Sequence, residues 1–336
     1  MPSHAPDTLW FTRCPVPTAT GIAADQGRLA AEFAADGIAV RSLQDVPPEV
    51  AADHHFTHAL PGLFREGGNV PALWARSRGE RTRLVGLTWI EERQVVLVRA
   101  GSGVTGPDGL RGLRLAVPRH GIGIDFWRAM ALAGFAGTLS LAGLTLADAT
   151  LVEVPATDRS GQWSAELAAL HAGTVDAVYV KGALAVEAAR RIGAEVAVDL
   201  DAAPDRRARV NNGTPRPITV HQDLLDEHPD LVVRFLAVLL EAADWAAERP
   251  AEVARILQAE TGAGAEGVAG AYVEGSHRTL HLDLSEERLD LLARQERFLH
   301  GEGFLEAPVD VRAWADPEPL RAARALIADP LRRSTV

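Results

Sequence analysis

A single thiol stands out in this chain of 336 residues, because Cys14 is its one cysteine. It lies in Phe11-Thr12-Arg13-Cys14-Pro15-Val16-Pro17, where Pro15 and Pro17 fix φ and stiffen the loop and Arg13 favours a thiolate electrostatically. A thiolate is a nucleophile and a thiol is a proton donor, whereas a lone cysteine also serves as a small buried hydrophobe. A second set of reactive types follows in Asp53-His54-His55-Phe56-Thr57-His58 and Phe64-Arg65-Glu66-Gly67-Gly68-Asn69. His55 can hold or relay a proton. Arg65, with the backbone N–H groups of Gly67 and Gly68, can grip a tetrahedral or pyramidal oxyanion through forked donors. Such a pocket suits a sulfinate, a carboxylate or a phosphate, and the competing reading is a polar loop with a solvated arginine. His54 or His55 with His58 has ligand spacing compatible with a helix, but no HExxH pattern or supporting Cys/Asp set completes it, so no metal is expected.

Two further segments are weaker candidates. Pro118-Arg119-His120-Gly121-Ile122-Gly123 precedes a helix, and unsatisfied N–H groups at a helix start accept anions, which makes His120 a binding candidate. Its Gly-x-Gly is not a complete dinucleotide fingerprint, so neither NAD nor FAD is expected. Phe56, Phe126, Trp127 and Trp163 can line an aromatic pocket or simply pack in a core.

The elements that must position these residues read as alternating strand and helix. Leu9 to Thr12 is strand-like, Gly21 to Asp36 carries a helical apolar pattern that ends at Gly37, and Ile38 to Leu43 is the next strand. This β-α-β opening puts Cys14 at the carboxyl end of a strand, the edge where α/β sheets present ligands. Strands follow at Arg83 to Trp89 and Gln94 to Arg99, and the turn-rich Gly101 to Pro107 marks a domain boundary. A second α/β unit runs through strands at Leu110 to Val117, Leu151 to Val154, Val175 to Val180 and Val196 to Leu200. The chain is expected to return to the first domain near Thr214, and the remainder reads as helical. The reading is therefore α/β with two domains, 1–100 plus 214–336 and 101–213.

Length and composition agree with two cores rather than one, and a net charge of -11 with no basic block argues against nucleic acid as a partner. The basic charge is almost all arginine, Lys181 being the one lysine. The absence of a signal-like or membrane-spanning stretch, together with one unpaired thiol, leads to the expectation of a cytoplasmic protein without a membrane partner.

Taken together, Cys14-Pro15-Val16-Pro17, His55-Phe56-Thr57, Arg65 and Gly67-Gly68 resemble the motifs of the aromatic sulfinate desulfinases, in the same order and with the same interval from His55 to Arg65. Weaker similarity runs through Arg81 to Gly86, Asp176 to Tyr179 and Phe298 to Trp314. The resemblance implies a type II periplasmic-binding-protein-like fold, with a ligand cleft between domains and no transporter partner. It implies hydrolytic C–S cleavage of a small aromatic sulfinate without a cofactor. It also implies Cys14 as the catalytic cysteine, His55 as its proton partner, and Arg65 with Gly68 as the sulfinate-binding group. Val180-Lys181-Gly182 stands where members acting on biphenyl carry aromatic residues, so Lys181 is expected to recognise a smaller or extra-anionic sulfinate. Two alternatives share the fold: a solute-binding protein of the sulfonate, nitrate or thiamine-precursor type, and an iron-requiring enzyme of pyrimidine-precursor synthesis that consumes a histidine.

Overall fold

The computed structural model describes residues 6–12, 14, 16–156 and 163–329. The strands are β1 (Thr8–Phe11), β2 (Ala39–Ser42), β3 (Leu63–Glu66), β4 (Thr82–Thr88), β5 (Gln94–Val98), β6 (Arg114–Arg119), β7 (Thr150–Pro155), β8 (Ala177–Lys181), β9 (Glu195–Asp199) and β10 (Arg216–His221). They form two sheets in two compact units. One unit comprises Met1–Ile90, Gly213–Ile256 and Gly275–Val336, and the other Glu91–Asn212 and Leu257–Glu274.

The first unit orders its sheet β2-β1-β3-β10-β4, with β1 parallel to both β2 and β3 and with β10 antiparallel to both β3 and β4. All four residues of the central strand β3 are buried, so Arg65 and Glu66 are carried into the interior beside Leu63 and Phe64. Two adjacent charged residues in a buried strand are costly unless their environment or function requires them. Helix α1 (Ala19–Asp25) starts where the Thr18 hydroxyl accepts from Gly21 N at 2.9 Å. The helical pattern expected from Gly21 to Asp36 is broken at Gly27, whose φ of 69° no helix interior accepts, and helix α2 (Arg28–Phe33) follows. Helix α3 (Pro48–Thr57) carries His55 and ends at His58, which takes the left-handed conformation at φ 58°. Helix α4 (Asn69–Ser77) begins directly after Gly68. On the apolar side, the Phe64 ring stacks on Phe235 of the helix Pro229–Ala247 with centroids 3.8 Å apart.

The second unit orders its sheet β7-β6-β8-β5-β9 around a core that includes Val96, Leu115, Phe135 and Tyr179, with helix α5 (Phe126–Ser140) packed on it. Here the structure moves the boundary expected at residue 100. β5 belongs to the second sheet, pairing antiparallel with β8 from Gln94↔Lys181 to Val98↔Ala177 and also with β9. Residues 257–274 join the same unit, through the Glu92↔Tyr272 bridge and the Arg190–Glu266 ion pair. A strand belongs to the sheet that satisfies its N–H and C=O groups, and the turn-rich segment after residue 100 says nothing about which sheet that is. Among the described residues no helix is long and apolar enough to cross a membrane.

Candidate functional site

The end of β1 is tied down by β3. Thr12 N donates to Phe64 O at 3.2 Å, and the Thr12 hydroxyl donates to Glu66 O at 3.0 Å. Two residues later, the half-exposed Cys14 turns its thiol onto the same Glu66 carbonyl, with Sγ at 3.5 Å. Val16 N closes the turn onto Cys14 O at 2.7 Å. Arg13 and Pro15, expected to tune and stiffen this loop, lie outside the described residues.

Arg65 is the hub of the arrangement and is fully buried. Its Nε donates to His55 O at 3.0 Å, its Nη1 to Gly68 O at 3.0 Å, and its Nη2 reaches His55 Nε2 at 3.4 Å. The guanidinium folds back over Gly67, where an added Cβ would lie 2.5 Å from Nη1 and 2.6 Å from Cζ. That close approach is the reason for glycine at this position, since Gly67 does not occupy the left-handed region. Burial lowers the Arg65 pKa to about 10, and a negative charge on Cys14 works in the opposite direction.

An arginine donates and cannot accept, so His55 Nε2 meets it with a lone pair and the imidazole carries its proton on Nδ1. The same contact resists protonation. Burial first, then the charges of Arg65 and Arg216, hold the His55 pKa well below its ordinary value. His55 is therefore a neutral imidazole at neutral pH, and its ring meets Phe56 edge to face at 5.2 Å. Arg65 thus joins His55 to the Gly68 loop, while the hydrogen bond of the Cys14 thiol goes to Glu66 and not to His55. His58 does not share a helix face with His54, because it lies beyond the end of α3 with Nδ1 near Phe56 O at 3.3 Å. Among the described residues no group of three or more His, Cys, Asp or Glu could hold a metal ion.

Two charged residues of this unit were not singled out from the sequence. The buried Glu66 carboxylate accepts Thr20 N of α1 at 3.1 Å and the Thr88 hydroxyl at 3.0 Å, and burial raises its pKa. Arg216, at the start of β10, is 4% exposed and acts electrostatically on His55, Arg65 and Glu66. Its signal in the sequence is a charge between two prolines at the head of an apolar strand, Pro215-Arg216-Pro217-Ile218.

His120 and Lys181 lie in the second unit, each with a partner of its own. The Asp125 carboxylate accepts His120 N at 2.6 Å and Arg128 N at 3.0 Å, and its Oδ1 lies 3.2 Å from His120 Nδ1. The anion expected at the start of α5 is therefore the protein's own N-cap. Lys181 Nζ donates to Glu92 at 2.6 Å in a nearly buried pair, so the unspent cation expected there is already neutralised. Trp163 is a core residue, 3% exposed, edge-on to Trp127 and Tyr179, and its Nε1 donates to Lys181 O at 3.2 Å.

Two mixed α/β sheets of this topology define the periplasmic-binding-protein-like class. The periplasmic aliphatic sulphonate-binding protein SsuA of Escherichia coli has the same fold, with a TM-score of 0.70 at 16% identity over 93% of each chain. Residues 33–253 match the sequence signature described as NMT1/THI5 like, and the chain belongs to that family. It is similar to the 2'-hydroxybiphenyl-2-sulfinate desulfinase of Rhodococcus erythropolis, at 30% identity over 352 aligned positions covering 93% of this chain and 92% of that one. Its fold also matches the crystal structure of a cysteine-to-serine mutant of DszB in complex with biphenyl-2-sulfinic acid. There the TM-score is 0.77 at 25% identity, over 95% of this chain and 99% of the other.

Proposed function

We propose that the protein is a desulfinase that hydrolyses an aromatic sulfinate, with Cys14 as the catalytic thiol. The observation that carries this reading is the half-exposed Cys14 thiol at the end of β1, beside a buried Arg65 that braces both a neutral His55 and the Gly67-Gly68 loop. The desulfinase relatives and the biphenyl-2-sulfinic acid complex support the substrate class. The reaction is ArSO2⁻ + H2O → ArH + HSO3⁻: the ring carbon exchanges its bond to sulfur for one to hydrogen, and water supplies both that proton and the third oxygen of sulfite.

Two routes use the same residues: thiolate attack on sulfur, or proton delivery from the thiol to the ring carbon. The Cys14 thiol donates to a carbonyl at rest, which favours the second. In that route the C–S bond electrons remain with the ring and take the thiol proton. The departing SO2 is hydrated to hydrogensulfite, and the proton released returns to Cys14. The cationic Arg65 stabilises the thiolate in between, and His55, kept neutral, holds the Arg65 guanidinium in place through its Nε2 lone pair. A single free thiol stays reduced in the cytoplasm, which is the compartment we propose for the enzyme.

The test is sulfite release from biphenyl-2-sulfinate by the wild type and by Cys14→Ser. Wild-type turnover with a fall of at least about a thousandfold in the mutant is expected, the usual scale for removing a reacting group. Mutant turnover near the wild-type rate would sink the role of Cys14. Tight binding by the wild type without any sulfite release would make the chain a binding protein.

A further inference from the structure

In the site just described, the donors of Arg65 are largely committed to the protein, since each of its three nitrogens already meets His55 or Gly68. Arg216 differs. It is 96% buried by its 4% exposure, yet its guanidinium makes no hydrogen bond or ion pair with any described residue, and its Nε is fully enclosed without a partner. A desolvated cation lacking a counter-charge is a standing cost that folding alone does not explain. Glu66, which lies within its electrostatic reach, forms no ion pair with it, having spent its carboxylate on Thr20 N and the Thr88 hydroxyl.

The backbone fixes where Arg216 stands. On one side of it Asn69 Nδ2 donates to Pro215 O at 2.9 Å, and on the other Gly67 N donates to Pro217 O at 3.3 Å. The arginine is thereby stitched on both flanks to the Gly67-Gly68-Asn69 loop that Arg65 braces from β3. In the sheet, β10 runs antiparallel beside β3 and brings Arg216 opposite Thr88 of β4.

We propose that Arg216 is the second anion-binding residue of the site, its forked donors taking an oxygen of the sulfinate substrate and of the sulfite product. This rests on the desulfinase reading above. Arg65 then acts chiefly as a positioning residue that orders His55 and the glycine loop, while Arg216 holds the charge that enters and leaves. Like charge on Arg65 and Arg216 disfavours the empty site, and a bound anion relieves that repulsion.

The test titrates biphenyl-2-sulfinate into the Cys14→Ser protein and into Cys14→Ser/Arg216→Met, with thermal unfolding of both. Binding is expected to weaken at least about tenfold, the scale of one lost charge-assisted bond, while the unliganded double variant is as stable as its parent or more so. An affinity within about threefold of the parent in the folded double variant overturns the assignment, as does a stability loss with affinity retained. If methionine prevents folding, Arg216→Lys keeps the charge without the fork; parent-like affinity there overturns the forked contact, and weaker binding supports it. Failure of the desulfinase reading looks different: the wild type itself neither binds the sulfinate nor releases sulfite, and the proposal falls with it.

Discussion

Replacing Gly67 with alanine probes the brace at the centre of the site. The new Cβ would sit 2.5 Å from Arg65 Nη1, 2.6 Å from Cζ and 2.8 Å from Nη2, distances that packed atoms do not tolerate. Nothing else forbids alanine there, because Gly67 is outside the left-handed region. The guanidinium must therefore move, yet it is fully buried and held by two bonds of 3.0 Å to His55 O and Gly68 O. A hydrogen bond from a charged donor contributes about 1.5–3 kcal/mol, so losing one and bending the other costs about 2–3 kcal/mol. Expressed as misplacement of His55 and the glycine loop, that is about 30- to 150-fold in kcat/KM. The assay is steady-state sulfite release, with the unfolding temperature as a control. In the Arg65→Met background the same alanine finds no guanidinium to displace, so the two changes are expected to be strongly non-additive. A Gly67→Ala protein within about threefold of wild type would refute the reasoning, as would full additivity in the double variant.

Other outcomes are expected of the wider structure. His55 and His58 are both held below the ordinary 6.5, first by burial and then by Arg65. Below that pH the unfolded chain takes up protons that the folded state refuses, so stability falls as pH drops through 6.5 toward the depressed folded values. Asp201, which burial raises to about 6, acts in the opposite sense over part of the same range, so the informative quantity is a difference. Urea unfolding from about pH 7 to about pH 5 is expected to lose less stability in His55→Gln/His58→Gln than in wild type, and equal slopes would contradict the burial argument. In the second unit, Lys181→Ala leaves the 5% exposed Glu92 carboxylate without its partner. A stability loss of about 3 kcal/mol is expected by chemical denaturation, largely recovered in Lys181→Met/Glu92→Leu. An unchanged midpoint in Lys181→Ala would show that Glu92 does not depend on Lys181 in the folded protein.

Much of the site was legible because its chemistry is carried by rare residue types in short runs. One cysteine after a strand, a histidine, and an arginine shortly before two glycines mark the candidates wherever the chain places them. The strand that ends just before Cys14 follows from its local apolar pattern, whereas no element is expected over the segments that form α3, β3 and the start of α4, where the competing reading is a polar loop.

Partnership was not legible. The sequence reading pairs Cys14 with His55, whereas the parallel contact of β1 with β3 puts the thiol on the Glu66 carbonyl and leaves His55 to Arg65. Lys181 reads as an unspent cation until β5 lies beside β8 with Gln94 opposite Lys181, which brings Glu92 within reach. Arg216 reads as one arginine among many until β10 inserts between β3 and β4 and buries it beside the glycine loop. Side-chain type and local spacing thus determined what chemistry this protein can do. Which groups share a proton, which charges are already spent and which stand unpaired was decided by strand order and register, because backbone hydrogen bonding joins segments far apart in the chain and local patterns do not encode their neighbours.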